Sequence, residues 1–140
     1  MGRNFNGVQI NQSPTITEKA GVDIADCRNR IMKYDEEGNA VLATAGTDIP
    51  VGIALIEAGR NDISGVESGK VLSGEDVDIQ IKDIGYAIAG ADIGKGAEVA
   101  AGAEGKAAVA VSGDYVLGIA LSKVTEGSYV RIQMGKYQKA

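Results

Sequence analysis

Parts of this chain are written twice in the same order, and that duplication limits what it can fold into more than any other feature. Ala20-Gly21-Val22-Asp23-Ile24-Ala25 returns as Ala89-Gly90-Ala91-Asp92-Ile93-Gly94, and Val51-Gly52-Ile53-Ala54-Leu55 returns as Leu117-Gly118-Ile119-Ala120-Leu121. The offset is 69 residues for the first pair and 66 for the second. Between them, the acidic stretch Asp35 to Ala40 is echoed by the shorter Ala103 to Ala107. A third match, Val77 to Ile81 with Val130 to Met134, lies 53 apart, so the first copy carries about 13 residues that the second lacks, within Glu57 to Ser73. Conserved order at a drifting offset marks one structural unit used twice.

The unit reads as β-structure. Arg30 to Tyr34 and Ala40 to Thr44 flank the acidic turn Asp35-Glu36-Glu37-Gly38-Asn39, a hairpin pattern. Pro50 to Ile56 is a continuous apolar run of strand length, as expected for a strand covered on both faces. Val77, Ile79 and Ile81 alternate with Asp78, Gln80 and Lys82, and Val130, Ile132 and Met134 alternate with Arg131, Gln133 and Gly135. A period of two places one face of each strand in the core and the other in water. Glu98 to Ala100, Ala107 to Val111 and Tyr115 to Leu121 complete the second copy. Short helical turns fit best within Ala20 to Cys27 or Ala89 to Gly96, and the glycines at 90, 94 and 96 favour loop in the second.

The expected architecture is therefore all-β: a small barrel- or sandwich-like domain made of two similar β-repeats, with little helix. Residues 18–140 form one domain, with repeat one at about 20–82, an insertion at 57–73, and repeat two at about 89–135. Residues 1–17 are polar and Asn-rich with isolated apolar points, and read as an extended N-terminal arm. Phe5, Val8 and Ile10 are its candidate anchors, because lone apolar residues on a polar segment gain most from burial against a partner. Gly52, Gly118, Val77 and Val130 are the positions that define the repeat. Of the 140 residues only one is Phe and none is Trp, so the core must be thin and built from Ala, Val and Ile.

Several function classes are excluded by what is missing or misplaced. The chain has no His, which removes imidazole-based triads, dyads and metal sites. Cys27, the single cysteine, has no such base and sits between Asp26 and Arg28, whose charges oppose each other. One cysteine cannot form an internal disulfide, and a free thiol is the ordinary state in a reducing compartment. The acidic tip Asp35 to Asn39 is too short for a calcium loop. Asp76 and Asp78 share a strand face without aromatic sugar platforms beside them, which disfavours glycosidase chemistry. Gly94-Lys95-Gly96 and Gly102 to Lys106 lack the spacing of a phosphate-binding loop. No catalytic, metal or cofactor site is expected, and the chain reads as a non-enzyme.

A net charge of −5 disfavours nucleic acid as a partner, since phosphate backbones require clustered Lys and Arg. No run of 18 apolar residues is present to span a bilayer, and Met1 to Asn6 leads into no signal-peptide core. A protein made in the cytoplasm and bound to a larger assembly is the expectation.

The run "AGADIGKGAEV", the pair "VGIAL" and "LGIAL", and the endings "GEDVDIQI" and "GSYVRIQM" resemble the head decoration, or capsid cement, proteins of tailed bacteriophages over roughly Ala20 to Met134. In that family each half gives a glycine-containing turn, a strand with a central glycine, held here by Gly52 and Gly118, and a closing strand led here by Val77 and Val130. The resemblance implies a structural virion protein on the outer capsid surface, often a homotrimer. It would bind the major capsid protein after the shell expands and hold neighbouring subunits together, with Phe5, Val8 and Ile10 of the arm at the capsid or a neighbour. Two other readings remain at this level: a carrier-type domain modified at Lys82, beside Asp83, and a carbohydrate-binding β-module using its five tyrosines.

Overall fold

The computed structural model describes residues 14–56, 58–60 and 67–140. Phe5, Val8, Ile10 and much of the 57–73 insertion lie outside the described residues.

Each repeat forms its own five-stranded antiparallel sheet. The first contains β1 (Thr15–Lys19), β2 (Ile31–Tyr34), β3 (Ala40–Leu42), β4 (Gly52–Ala54) and β5 (Asp76–Gln80), in the order β1-β5-β4-β2-β3. The second contains β6 (Ile84–Ile88), β7 (Glu98–Ala101), β8 (Ala107–Val109), β9 (Tyr115–Ala120) and β10 (Tyr129–Gln138), in the order β6-β10-β9-β7-β8. The two orders are the same once the second set is renumbered from one. Register agrees too: Ile53 faces Gln80 as Ile119 faces Gln133, and Ala54 faces Ile79 as Ala120 faces Ile132. The all-β expectation holds, as two open sheets rather than a closed barrel. Among the described residues the helical content is one 3-10 turn, Ala103–Gly105, inside the β7–β8 connection. Neither stretch offered for helical turns, Ala20 to Cys27 or Ala89 to Gly96, forms one.

The duplicated motif Ala-Gly-x-Asp-Ile is a clamp. In repeat one the Ala20 N–H donates to Glu75 O (2.8 Å), Ile24 and Val71 exchange backbone bonds, and Asp23 Oδ1 accepts the Ser73 N–H (2.9 Å). In repeat two Ala89 donates to Ser128 O (2.8 Å), Ile93 and Val124 exchange bonds, and Asp92 Oδ1 accepts the Glu126 N–H (3.0 Å). Each clamp pins the turn before the closing strand, which sets that strand's register. The same landmarks locate the length difference: Ala54 to Val71 spans 17 positions, whereas Ala120 to Val124 spans four.

Strand alternation gives each sheet an inner and an outer face. On the inner face of sheet one, Met32, Ala54, Val77 and Ile79 pack with the clamp residues Ala20, Ile24 and Val71 and with Cys27. On the inner face of sheet two, Val99, Ala120, Val130 and Ile132 pack with Ala89 and Ile93, and Ile31, Ala43 and Ile53 of repeat one join them. Ile31 and Ile53 face each other and alternate with Met32 and Ala54, so they belong to the outer face of sheet one. The repeats therefore stack head to tail, the outer face of the first closing the inner face of the second. Asn29 seals this seam. It is buried, its carbonyl accepts the Ile88 N–H (3.0 Å) and its Nδ2 donates to Tyr86 O (2.9 Å).

Gly52 and Gly118 sit where β4 and β9 cross the closing strands. A Cβ on Gly52 would stand 2.0 Å from Gln80 O, and one on Gly118 2.1 Å from Gln133 O, so no side chain fits at either position. Val77 and Val130 are fully buried on the closing strands. Thr15 to Thr17, read from sequence as the end of the arm, are part of β1 and pair with Gln80, Ile79 and Asp78.

Candidate functional site

Cys27, Asp26, Asp76, Asp78 and Asp35 are tied into the scaffold by burial or by hydrogen bonds. Cys27 is fully buried, and burial, reinforced by the negative charge of Asp26, pushes its thiol up to about 11. At neutral pH it is an uncharged thiol shielded from solvent. Burial would raise the neighbouring Asp26 carboxyl, but the two-point contact from Arg28 (Nε to Oδ1 and Nη2 to Oδ2, both 2.9 Å) outweighs it and holds Asp26 below its ordinary value. Asp76 and Asp78 share an exposed face, where Asp76 takes the Lys19 ammonium (2.6 Å) and Asp78 the Thr17 hydroxyl (2.6 Å). Asp35 folds back on its own turn, its Oδ1 accepting the N–H of Glu37 (3.0 Å) and Asn39 (2.9 Å). Lys82 lies in the short connection between the sheets, its carbonyl taken by Gln80 Nε2 (2.9 Å). Among the described residues no cluster of acidic or sulfur ligands is arranged to hold a metal ion.

Two surfaces stand out instead. The first is the outer face of sheet two. Because the repeats share one register, each position on this face has a counterpart on sheet one, and the chemistry differs at every row of the β1–β5 and β6–β10 pairs. Lys19 faces Asp76 in repeat one, where Ile88 faces Tyr129 in repeat two; Thr17 faces Asp78, where Tyr86 faces Arg131. Thr15 faces Gln80, where Ile84 faces Gln133. A face of ion pairs and hydroxyls in the first copy has become one of tyrosine, isoleucine and arginine in the second. About half of each of Ile84, Tyr86 and Tyr129 remains in water, and exposed Ile56 adjoins Tyr86 across a shallow cleft of about 140 Å³. Tyrosine and arginine on an apolar ground are the residue types enriched where proteins meet.

The second surface is a groove of about 700 Å³ on repeat one. Ile16, Val51 and Ile81 form its apolar floor, Tyr34 and Ile49 its walls, and Lys136 reaches in from β10 to donate to the Val51 carbonyl. Burial lowers the Lys136 pKa, so its ammonium is partly withdrawn from water although the side chain as a whole is exposed. Lys33 on the same rim is neutralised by Asp48 (3.0 Å).

The sequence reading singled out neither surface. The five tyrosines were weighed there only as sugar platforms, and β6 carries no strong strand pattern. The signal was present in the alignment of the two copies, where Asp78 becomes Arg131 and Asp76 becomes Tyr129. The arm anchors Phe5, Val8 and Ile10 lie outside the described residues.

No family model and no curated protein matches this chain. Among solved structures it resembles the N base of head fiber gp8.5 in bacteriophage phi29, with a TM-score of 0.63 and 22% sequence identity over 86% of this chain and 92% of that one. At that identity the likeness is one of fold.

Proposed function

We propose that this protein is a structural component of a tailed-phage virion that binds the outer surface of the expanded capsid as a homotrimer and stabilises it by bridging neighbouring major capsid subunits. The observation that carries this reading is the outer face of sheet two, where Ile84, Tyr86, Tyr129 and Arg131 replace the charged pairs of the other copy. On this exposed face the second copy carries tyrosine, isoleucine and arginine where the first carries charged pairs and hydroxyls, an exchange that supports specialisation for contact there. The fold shared with a phage head fiber base supports the same class of role. An attachment needs roughly 800 Å² per partner, and a trimer multiplies modest affinities by engaging several subunits at once. No cofactor takes part.

Co-sedimentation of the purified protein with expanded and unexpanded shells tests the reading. Binding to expanded shells alone is expected, with Tyr86→Ala and Tyr129→Ala each weakening it about tenfold or more, the usual cost of an interface anchor. A stable monomer that stays in the supernatant with both shells would overturn it.

A further inference from the structure

Among the described residues, the groove on repeat one is the open counterpart of a seat that repeat two keeps filled. Shared register makes Ile16, Val51 and Ile81 equivalent to Gly85, Leu117 and Met134. In repeat two those positions are covered by the other repeat: Leu117 is fully buried and Met134 packs against the shared core. Ile53 comes so close that its Cδ1 would lie 3.2 Å from a Cβ placed on Gly85. In repeat one the equivalent side chains line an open groove. What closes the seat in repeat two is a pair of isoleucines, Ile31 and Ile53.

We propose that the groove is the docking site of this chain's own N-terminal segment, residues 5–10, with Ile10 and Val8 taking the places that Ile31 and Ile53 take in the other repeat. Three observations commit the site to that occupant. The described chain begins at the groove: the Pro14 carbonyl accepts the Ile81 N–H (2.8 Å), and Ile81 is part of the floor. Three residues, Asn11, Gln12 and Ser13, separate Ile10 from Pro14, and the four Cα–Cα steps reach up to about 14 Å, which covers a groove of this volume. The chemistry also matches, since Val8 and Ile10 are β-branched and apolar like the side chains that fill the equivalent seat, and no ionisable side chain lies between Phe5 and Pro14 to be desolvated. The outer face of a second copy is a poorer fit. It would offer Gly96, Ala97 and Glu98 where the existing seam uses Asn29, Arg30 and Ile31, and so would bring a carboxylate to an apolar floor. This inference deepens the arm reading by naming the protein itself as the arm's address, and it does not depend on whether the sheet-two face meets a capsid.

The test uses the full-length chain with two cysteines introduced, Ile10→Cys and Ile49→Cys; Cys27 is buried and stays silent. Under mild oxidation at low protein concentration the 10–49 disulfide is expected to form within one chain at least about tenfold faster than a 10–123 bond in the control pair Ile10→Cys and Lys123→Cys, and a 10–49 bond found only between two chains would overturn the proposal. In a chain carrying Ile49→Cys alone, adding Ile10→Asp is expected to speed thiol labelling at position 49 about tenfold, because a charged arm residue leaves the apolar seat. Equal disulfide rates in the two pairs, or a labelling rate that Ile10→Asp leaves unchanged, would overturn the proposal. Neither readout involves shells, so failure of co-sedimentation leaves it standing.

Discussion

At the level of single residues, the duplication gives each structural argument a built-in control. Gly52 and Gly118 face carbonyl oxygens at distances no Cβ can tolerate, and those oxygens belong to the backbone of the closing strands and cannot swing aside. Gly52→Ala and Gly118→Ala are each expected to cost about 2–3 kcal/mol, the upper range for overpacking, read as a lowered urea midpoint at unchanged slope. Asp23→Ala and Asp92→Ala remove the acceptor of a turn N–H at an exposed position, and each should cost about 1 kcal/mol in the same measurement. Cys27 predicts an alkaline limit. Its folded pKa, about 11, lies above the ordinary 9.0, so the stability it contributes is complete below pH 9 and is lost as the pH rises towards 11. Denaturation midpoints followed from pH 8 to 11 should fall more steeply in the wild type than in Cys27→Ala.

Elements show how far a sequence of this kind can be read. The hairpin around Asp35, the buried Gly52–Ala54 strand and the two alternating closing strands follow from patterns a few residues long, because each is fixed by its own burial. β1 and β6 were not legible. Thr15–Lys19 holds one large apolar residue, Ile16, and Ile84–Ile88 places its isoleucines and tyrosine on the exposed side, with Gly85 and Ala87 facing in. Their strand character comes from pairing with a closing strand about 60 residues later in one case and 45 in the other, information no local window contains. The candidate surfaces were hidden for the same reason, since a face is built from several strands. The β3–β4 connection carries a further expectation. Burial would raise the Asp48 carboxyl, but the N–H of Thr44 (2.8 Å) and the Lys33 ammonium outweigh it and hold its pKa below the ordinary 3.8. A lowered folded pKa contributes stability that is complete above the ordinary value and disappears as the pH falls through the folded one. Acid titration should therefore leave stability unchanged by Asp48 above about pH 5, with the loss confined to pH values below 4, and Asp48→Asn should flatten that limb.

For the whole molecule, the head-to-tail stacking of the repeats makes equivalent positions unequal. In a symmetric pair, Ile53 and Ile119 would be buried alike; here Ile53 is 2% exposed and lodged in the core of the other sheet, while Ile119 is only partly covered on the outer face of its own. Truncating Ile53 opens a cavity in the seam where the outer face of sheet one closes the core of sheet two, so Ile53→Ala is expected to cost about 3–4 kcal/mol. Ile119→Ala removes a side chain already in contact with water and should cost about 1 kcal/mol. Because the core of sheet two includes Ile31, Ala43 and Ile53, the second sheet cannot keep its interior dry once the first has opened, and the chain should unfold in a single transition. Hydrogen exchange separates this from two independent halves. In Ile53→Ala the amides of Ile79 in sheet one and Ile132 in sheet two should lose protection by the same factor, whereas independent repeats would leave one of the two at its wild-type rate.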